Sequence, residues 1–178
     1  MTPTEDLKHE HKVVLLVLGG AEREAAAMKG TGGINTVKLE KIVDFSKNFT
    51  DKCHHAKEEK HLFPRLQERG ITEPVAVMLR EHEEGRALIA AIAGVMAPAA
   101  GGDPAAAMAA SEALEDYVAL LRAHIEKENN VLFVMADKAL SAEDQTELAE
   151  AFEKVELEET GEGVHEKYHV LAHEIAEQ

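Results

Sequence analysis

The sequence predicts an all-α protein, an up-down-up-down four-helix bundle followed by additional helices toward the C-terminus. Its 178 residues include many alanines, no tryptophan and only 4% aromatic residues, a composition that favours helices. Glycines and prolines divide the chain into segments, and apolar residues recur within those segments at helical spacing. The breaks between segments are short and therefore join antiparallel neighbours, so the first four helices are expected to form the bundle.

The first two helices have clear start and stop signals. The first is expected to begin at Thr4-Glu5-Asp6, where acidic side chains favour the positive end of the helix dipole, and to end near Lys29. The second is expected to extend from about Asn35 to Arg69. A bend or local break is expected after Phe63, because a proline follows it.

The third and fourth helices complete the predicted bundle. The third is expected to begin near Thr72-Glu73-Pro74, an N-cap followed by proline in the first turn, and to end at Ala97-Pro98. A flexible Gly-Asp-Pro joint follows. The fourth helix is predicted from about Ala105 to Ala139.

Two further helices follow the bundle. Ser141 opens a fifth helix with the pattern of a capping box, and a last helix is expected from about Val164 to Glu177. Both carry apolar stripes that predict attachment to the bundle or to a second subunit. The chain is therefore divided into a bundle, residues 1–140, and a helical extension packing on it, residues 141–178.

The overall composition limits the functions that are expected. A net charge of −15, without a basic patch, argues against binding to nucleic acid or to anionic lipid. The N-terminus lacks the pattern of a secretion signal, and the apolar run Val13 to Leu18 is too short to cross a bilayer. Cys53 is the only cysteine and is predicted to be a buried small hydrophobe. We expect a soluble cytoplasmic protein, a monomer or a homodimer.

One phrase of the sequence occurs twice and is typical of a metal site. In each copy a His and a Glu lie four positions apart, so both side chains project from the same helix face. A Glu-His pair precedes each copy by nearly the same distance. The chain thus offers, from each of two helical hairpins, one His on the first helix and a His-x-x-x-Glu pair on the second. The six residues are His11, His54, Glu58, His82, His124 and Glu128.

The expected depths of these residues support a shared site. Counted from the turns, the four histidines fall in one layer of the bundle. On the fourth helix the candidate His and Glu belong to one mainly apolar stripe, which consists of Tyr117, Leu121, His124, Glu128, Val131 and Met135. Burying a His and a Glu in an apolar stripe requires a partner, either each other as an ion pair or a metal. Two copies of the pair and two further histidines favour metal, and ligands of nitrogen and oxygen suit iron or manganese better than structural zinc.

These phrases resemble, in order and spacing, the hemerythrin-like or HHE cation-binding family. The resemblance covers about residues 4 to 140. It rests on Glu10-His11, the stretch from His54-His55 to Leu62-Phe63-Pro64, Glu81-His82-Glu83 and the stretch from His124 to Leu132-Phe133. It implies a carboxylate-bridged, non-haem site for two Fe ions. The six residues would be ligands, and Glu58 and Glu128 would be the bridges.

The sequence departs from the oxygen-carrying hemerythrins at one position. Those proteins carry a second His one turn after the third-helix His, and this chain has Arg86 there. Two candidates could fill the gap, and both are included in the predicted metal site. His61 shares a face with His54 and Glu58, whereas the second copy has the apolar Val131 at its position. His165, on the last helix, could cap the metal pocket.

Other histidines have simpler interpretations. The string from His165 to His169 matches a zinc-protease helix motif, but there is no room for a conventional cleft and no third ligand downstream except His173, so a protease is discounted. His55 and Glu59 lie about 100° around the helix from the ligands, which favours supporting hydrogen bonds or exposure over ligation.

The predicted site suits small oxidants such as O2, H2O2 or NO. One hypothesis is reversible oxygen or nitric oxide binding for storage or sensing. A second is peroxide or nitric oxide chemistry, for example catalase-like or peroxidase-like, in oxidative or nitrosative stress. Open coordination positions and nearby acid and base groups favour the second hypothesis. Iron handling or repair of iron-sulfur clusters ranks lowest.

Overall fold

The protein is all-α, as predicted. The computed structural model describes all 178 residues, and every regular element in it is helical. The α-helices are α1 (Pro3–Thr31), α2 (Thr36–Phe45), α3 (Phe63–Glu68), α4 (Glu73–Ala100), α5 (Pro104–Lys127), α6 (Phe133–Ala139), α7 (Ala142–Lys154) and α8 (Val164–Glu177). Four stretches are π-helical: π1 (Ser46–His55), π2 (Glu58–Leu62), π3 (Glu128–Leu132) and π4 (Val155–Gly161).

Four long helical rods form the bundle. They are α1, the segment 36–68, α4 and the segment 104–139, and short turns join each to the next. The most extensive packing is of α4 along α5 and of α1 along α5. The last helices lie on one side of this bundle, where α8 packs against α1 and α2, and π4 packs against π1.

The helix ends follow the capping signals, with one difference. Thr2 and Glu5 form a capping box at the start of α1, and Ser141 forms the predicted one with Asp144 at the start of α7. Helix α4 continues to Ala100, two residues beyond the expected end at Ala97-Pro98. The helical hydrogen bonds continue past the proline, since the Gly101 N–H still donates to the Ala97 carbonyl.

The second and fourth rods change their winding next to the site. In π2 the Phe63 N–H donates to the Glu58 carbonyl, and in π3 the Phe133 N–H donates to the Glu128 carbonyl. The break expected near Phe63 is therefore a change from π-helix to α-helix. Because π3 has the same winding without a proline, Pro64 is not its only cause.

Two large apolar clusters pack most of the interior and leave a polar layer between them, and a small third cluster lies at the turn between α4 and α5. The first large cluster includes Val14, Leu121 and Ile125. The second includes Leu7 and Phe133 and lies toward the other end of the bundle. His11 and His124 fall between residues of the two clusters along their helices. The histidines and glutamates of the repeated phrases therefore lie in one layer between the two clusters.

None of the helices combines the length and the apolar character required to cross a bilayer.

Candidate metal centre

Six buried side chains converge where the two apolar clusters meet. They are His11 of α1, His54 of π1, Glu58 of π2, His82 of α4, His124 of α5 and Glu128 of π3. Each is at most 2% exposed. All four helical rods of the bundle therefore contribute to one polar layer, at the depth that the sequence predicts.

Each carboxylate lies between two histidines from different helices. The Glu58 oxygens are 3.4 Å from His54 Nε2 and 3.3 Å from His82 Nε2. The Glu128 oxygens are 3.2 Å from His124 Nε2 and 3.1 Å from His11 Nε2. Each Glu thus connects the two helical hairpins, which is the arrangement of a bridging carboxylate.

The donor atoms form two overlapping groups, each compact enough to surround one ion. Within each group the candidate ligand atoms lie within 4.8 Å of one another. The first group is His11, His54, Glu58 and Glu128, and the second is His55, Glu58, His82 and His124. Since Glu58 belongs to both groups, the site has the geometry of two adjacent ion positions with a shared ligand.

The orphaned atoms of the site fit a bound cation. All four oxygens of Glu58 and Glu128, together with His11 Nε2, are buried without a hydrogen-bond partner. Unpartnered buried carboxylate oxygens are strongly destabilising, and such atoms in a folded protein require an explanation such as an ion. These residues therefore fit the metal that the donor set implies.

Supporting hydrogen bonds orient every histidine of the site. His54 Nδ1 donates to Glu10 at 2.7 Å, and His124 Nδ1 donates to Glu81 at 3.3 Å. The Nδ1 atoms of the other two are held from the opposite hairpin: His11 by Asn129 at 2.6 Å, and His82 by Glu59 at 2.7 Å. An acceptor at Nδ1 places the proton there and leaves the Nε2 lone pair directed at the centre.

The two halves of the site are related by an approximate twofold repeat. The first His of each hairpin is held by the opposite hairpin, through Asn129 in one case and Glu59 in the other. Phe133 stacks on His11 with ring centroids 5.5 Å apart, and Phe63 stacks on His82 at 5.6 Å. The doubled sequence phrase therefore encodes supporting residues as well as candidate ligands.

The charges of the centre stabilise one another in the absence of metal. Burial by itself lowers the pKa of His54, but the carboxylates of Glu58 and Glu10 raise it to about 10. Burial likewise opposes ionisation of Glu128, whereas the charge of His124 and the close approach of the His11 and His124 rings hold its pKa well below the ordinary value. Because a histidine binds a metal only without its Nε2 proton, metal binding at His54 is expected to release a proton.

His55 lies against the centre, and of the two roles that sequence reasoning favoured, support and exposure, its burial fits support. It is 5% exposed, and its ring lies on the His82 ring with centroids 3.7 Å apart. Its counterpart in the second copy is Ile125. Both residues of the His-His doublet reach the interior, as His124 and Ile125 do at the same places in the second copy.

Two residues expected on the metal face lie elsewhere. Val131 is 53% exposed, so its predicted place on the apolar lining is wrong. His61, at the same position in the first copy, is partly exposed and outside both donor groups. Each follows its glutamate within a π-helical turn, which rotates the chain relative to the α-helical spacing assumed in the prediction.

His165 approaches the centre indirectly. Its Nε2 lies 3.2 Å from Glu10, the residue that holds His54, and it belongs to neither donor group of the centre. The other residues of its protease-like string do not assemble a catalytic site, since Glu166 is exposed and His169 packs edge-on against Phe49.

Arg86 forms hydrogen bonds to two carboxylates at the position where the oxygen-carrying hemerythrins have a histidine. Its guanidinium donates to Asp51 at 2.8 Å and to Glu59 at 2.6 Å. Because the same Glu59 oxygen accepts from His82, the arginine fixes the acceptor that orients this histidine. Glu59 thus has the supporting role that sequence reasoning favoured, and Cys53 is buried as predicted.

Two cavities adjoin the centre and share a wall. The inner one, of about 10 Å³, is lined by His11, Val14, Thr50, His54, His55, Leu121, His124 and Ile125. The outer one, of about 220 Å³, is lined by polar and apolar residues that include Thr50, His55, Arg86 and Tyr117. Thr50 and His55 border both cavities, so they separate the outer space from the candidate metal positions.

Comparison with known proteins agrees with this site. The model of the hemerythrin HHE cation binding domain matches residues 2–136. An uncharacterised protein of Mycobacterium bovis and two of Mycobacterium tuberculosis are each 25% identical to the chain over 163 residues. That match covers 91% of this chain, and the chain spans 64% of the length of these relatives. No solved structure matches it significantly. Since the family model covers most of the chain and all six converging residues, the chain belongs to the hemerythrin HHE cation-binding domain family.

Proposed function

We propose that this chain is a non-haem di-iron protein that binds and reacts with small oxidants, O2, H2O2 or NO, in the response to oxidative or nitrosative stress. The observation that carries the proposal is the pair of buried carboxylates. Their four oxygens have no hydrogen-bond partner, and each carboxylate lies between two histidines of different hairpins. Two cations satisfy all four oxygens at once.

The donor set supports iron. Four imidazoles and two carboxylates, with no thiolate, match the nitrogen and oxygen ligands of non-haem iron and manganese sites. The single cysteine, Cys53, lies in a different group with Glu10 and His165. Bound ferrous ions would supply electrons and open coordination positions for a diatomic molecule or peroxide. The ligands would be His11, His54, Glu58, His82, His124 and Glu128.

The cavities support a small ligand rather than a large substrate. The inner space is about the volume of one water molecule, and Val14, Leu121 and Ile125 give it apolar walls. The outer cavity reaches the same wall from the side of Arg86. In this proposal Thr50 and His55 form the gate that a small oxidant passes, and the apolar walls exclude bulk water from the centre.

The enzymatic reading is tested by peroxide decomposition. Protein loaded anaerobically with Fe(II) should bind two ions per chain and release O2 from added peroxide faster than the same amount of free iron. Glu58→Ala should bind fewer ions and lose this activity, because both ion positions share Glu58. Glu126→Ala, the same substitution at an exposed position, is the control and should behave like the wild type. Two bound ions without turnover above free iron would argue against the enzyme.

Reversible oxygen binding is the second candidate, and the small apolar inner cavity favours it. Stopped-flow mixing of the diferrous protein with O2 separates the two functions. A storage or sensing protein should form a stable coloured complex that loses its gas under vacuum. Immediate and irreversible oxidation would exclude this candidate.

A further inference from the structure

The support of one ion position includes a residue from the last helix of the chain. Glu10 is 1% exposed, and one of its oxygens accepts from His54 Nδ1 at 2.7 Å. The other oxygen accepts from Lys57 Nζ at 2.6 Å and from His165 Nε2 at 3.2 Å. Both oxygens of the carboxylate that orients His54 are therefore held by buried or partly buried donors.

The other half of the site provides an internal comparison. Glu81 holds His124 as Glu10 holds His54, and Lys127 pairs with Glu81 as Lys57 pairs with Glu10. The lysines differ in surroundings, because the Lys57 side chain is fully buried whereas that of Lys127 is 46% exposed. The same arrangement is thus sealed in one half and open to solvent in the other.

The side chains that cover Lys57 include residues that come after the four-helix bundle in the chain. Glu156 of π4 accepts from Lys57 Nζ at 2.5 Å and lies 3.7 Å from His165 Nε2. The Phe152 ring lies 5.6 Å from the same Nζ. The family model ends at residue 136, so all of these residues belong to the part of the chain that lies beyond the match.

This difference has a physical consequence for the two histidines. Donors fixed in a water-excluded pocket keep a carboxylate in one orientation, whereas water competes for a carboxylate near the surface. The distances agree, since Nδ1 to carboxylate is 2.7 Å for His54 and 3.3 Å for His124. A histidine held more firmly in one orientation is a better metal ligand through Nε2.

We propose that the C-terminal helices complete the metal centre: His165, assisted by Glu156, fixes Glu10 and thereby His54, and makes the ion position at His11 and His54 tighter than the position at His82 and His124. His165 is in this view a positioning residue and not a ligand. The inference rests on the proposed function only in that it requires two metal positions.

Anaerobic calorimetric titration with Fe(II) tests the inference through affinity rather than activity. The wild-type protein should bind two ions with different affinities. His165→Leu, which removes the donor, should weaken the tighter position by about 10- to 100-fold and leave the other unchanged. His165→Gln, whose amide can still donate to Glu10, should stay close to the wild type. His173→Leu, the same change at an exposed position of the same helix, is the matched control.

Combining His165→Leu with a second substitution that removes a ligand shows which ion position loses affinity. In a His82→Ala background, which keeps the donors at His11 and His54, His165→Leu should produce the loss. In a His11→Ala background it should not. If His165→Leu does not fold, Glu156→Gln serves instead, because this side chain is 29% exposed and its change should weaken the same position several-fold.

The outcomes separate this inference from the proposed function. Equal affinities in wild type and His165→Leu, or an equal loss at both positions, would overturn the inference and leave di-iron chemistry standing. A protein that shows the expected asymmetry but does not react with oxygen or peroxide would support the inference and contradict the proposed function. A wild type that binds no metal would overturn both.

Discussion

At the scale of single residues, His55 distinguishes the two halves of the centre. Its ring lies nearly parallel to the His82 ring, with an interplanar angle of 15° and centroids 3.7 Å apart. Although a donor atom of His55 lies within 4.8 Å of those of Glu58, His82 and His124, parallel stacked rings direct their nitrogens alongside one another rather than toward a common ion. His55 is therefore better placed to support His82 and to close the inner cavity than to bind the same ion.

The variant His55→Phe tests this role. Phenylalanine keeps the stacked ring but has no nitrogen, so the protein should still bind two ions per chain, as measured by metal analysis after desalting. The neighbouring variant His54→Phe removes a proposed ligand and should bind one ion fewer. If His55→Phe also loses an ion, His55 is a ligand.

At the scale of the element, the π-helical turns determine which side chains face the centre. In both copies the glutamate begins the π-helical turn, and the residue three positions later faces outward. π-helical turns cost backbone stability and occur mostly at functional sites. A π-helical turn begins at the glutamate in both repeats, which indicates that this winding is needed to place the two glutamates in the centre.

The docking of α8 onto α1 depends on one glycine. A Cβ on Gly20 would lie 2.6 Å from both the side chain and the backbone carbonyl of Ile175, whereas a Cβ on Gly19 would meet only the end of a flexible arginine at 3.8 Å. Helix α8 could not keep its present position against an alanine at residue 20. This close approach is what brings the last helix, and with it His165, next to the bundle.

Gly20→Ala should therefore destabilise the protein, by about 1–3 kcal/mol, because it overpacks a fixed contact. Gly19→Ala should be neutral or stabilising by up to about 1 kcal/mol, since alanine is the better helix former. Urea unfolding followed by circular dichroism measures both. Equal effects of the two substitutions would show that α8 is not packed this closely.

At the scale of the whole molecule, the bundle keeps negative charge in its interior. Glu58 and Glu128 are both fully buried, and their separate contacts with four histidines connect all four rods. In this acidic chain of net charge −15, cations at the centre would reduce repulsion and join the two hairpins. Metal content should therefore govern stability as well as reactivity.

Removal of metal should lower the thermal midpoint, and added Fe(II) or Mn(II) should restore it. A ligand present at about 100 times its dissociation constant contributes about 2.7 kcal/mol per site. Mg²⁺, which prefers oxygen ligands, should have little effect on this histidine-rich site. In Glu58→Gln the gain from iron should be much smaller. Thermal unfolding of chelator-treated and reloaded protein measures these differences, and an unchanged midpoint would contradict a buried metal centre.

The sequence by itself determined the helices and the candidate donors. Helix ends follow from local capping and from glycine and proline, and a His and a Glu four positions apart share a helix face whatever surrounds them. The repetition of that pair, preceded each time by Glu-His, was therefore sufficient to predict the four-rod layer and the six converging side chains.

Only the tertiary structure decided what surrounds those donors. Whether a turn is wound as α-helix or π-helix depends on the burial of residues from other helices, so the outward positions of His61 and Val131 could not follow from α-helical spacing. The contact of His165 with Glu10 joins residues far apart in the chain. It exists because α8 docks closely on α1, a long-range packing event that no local pattern in the sequence specifies.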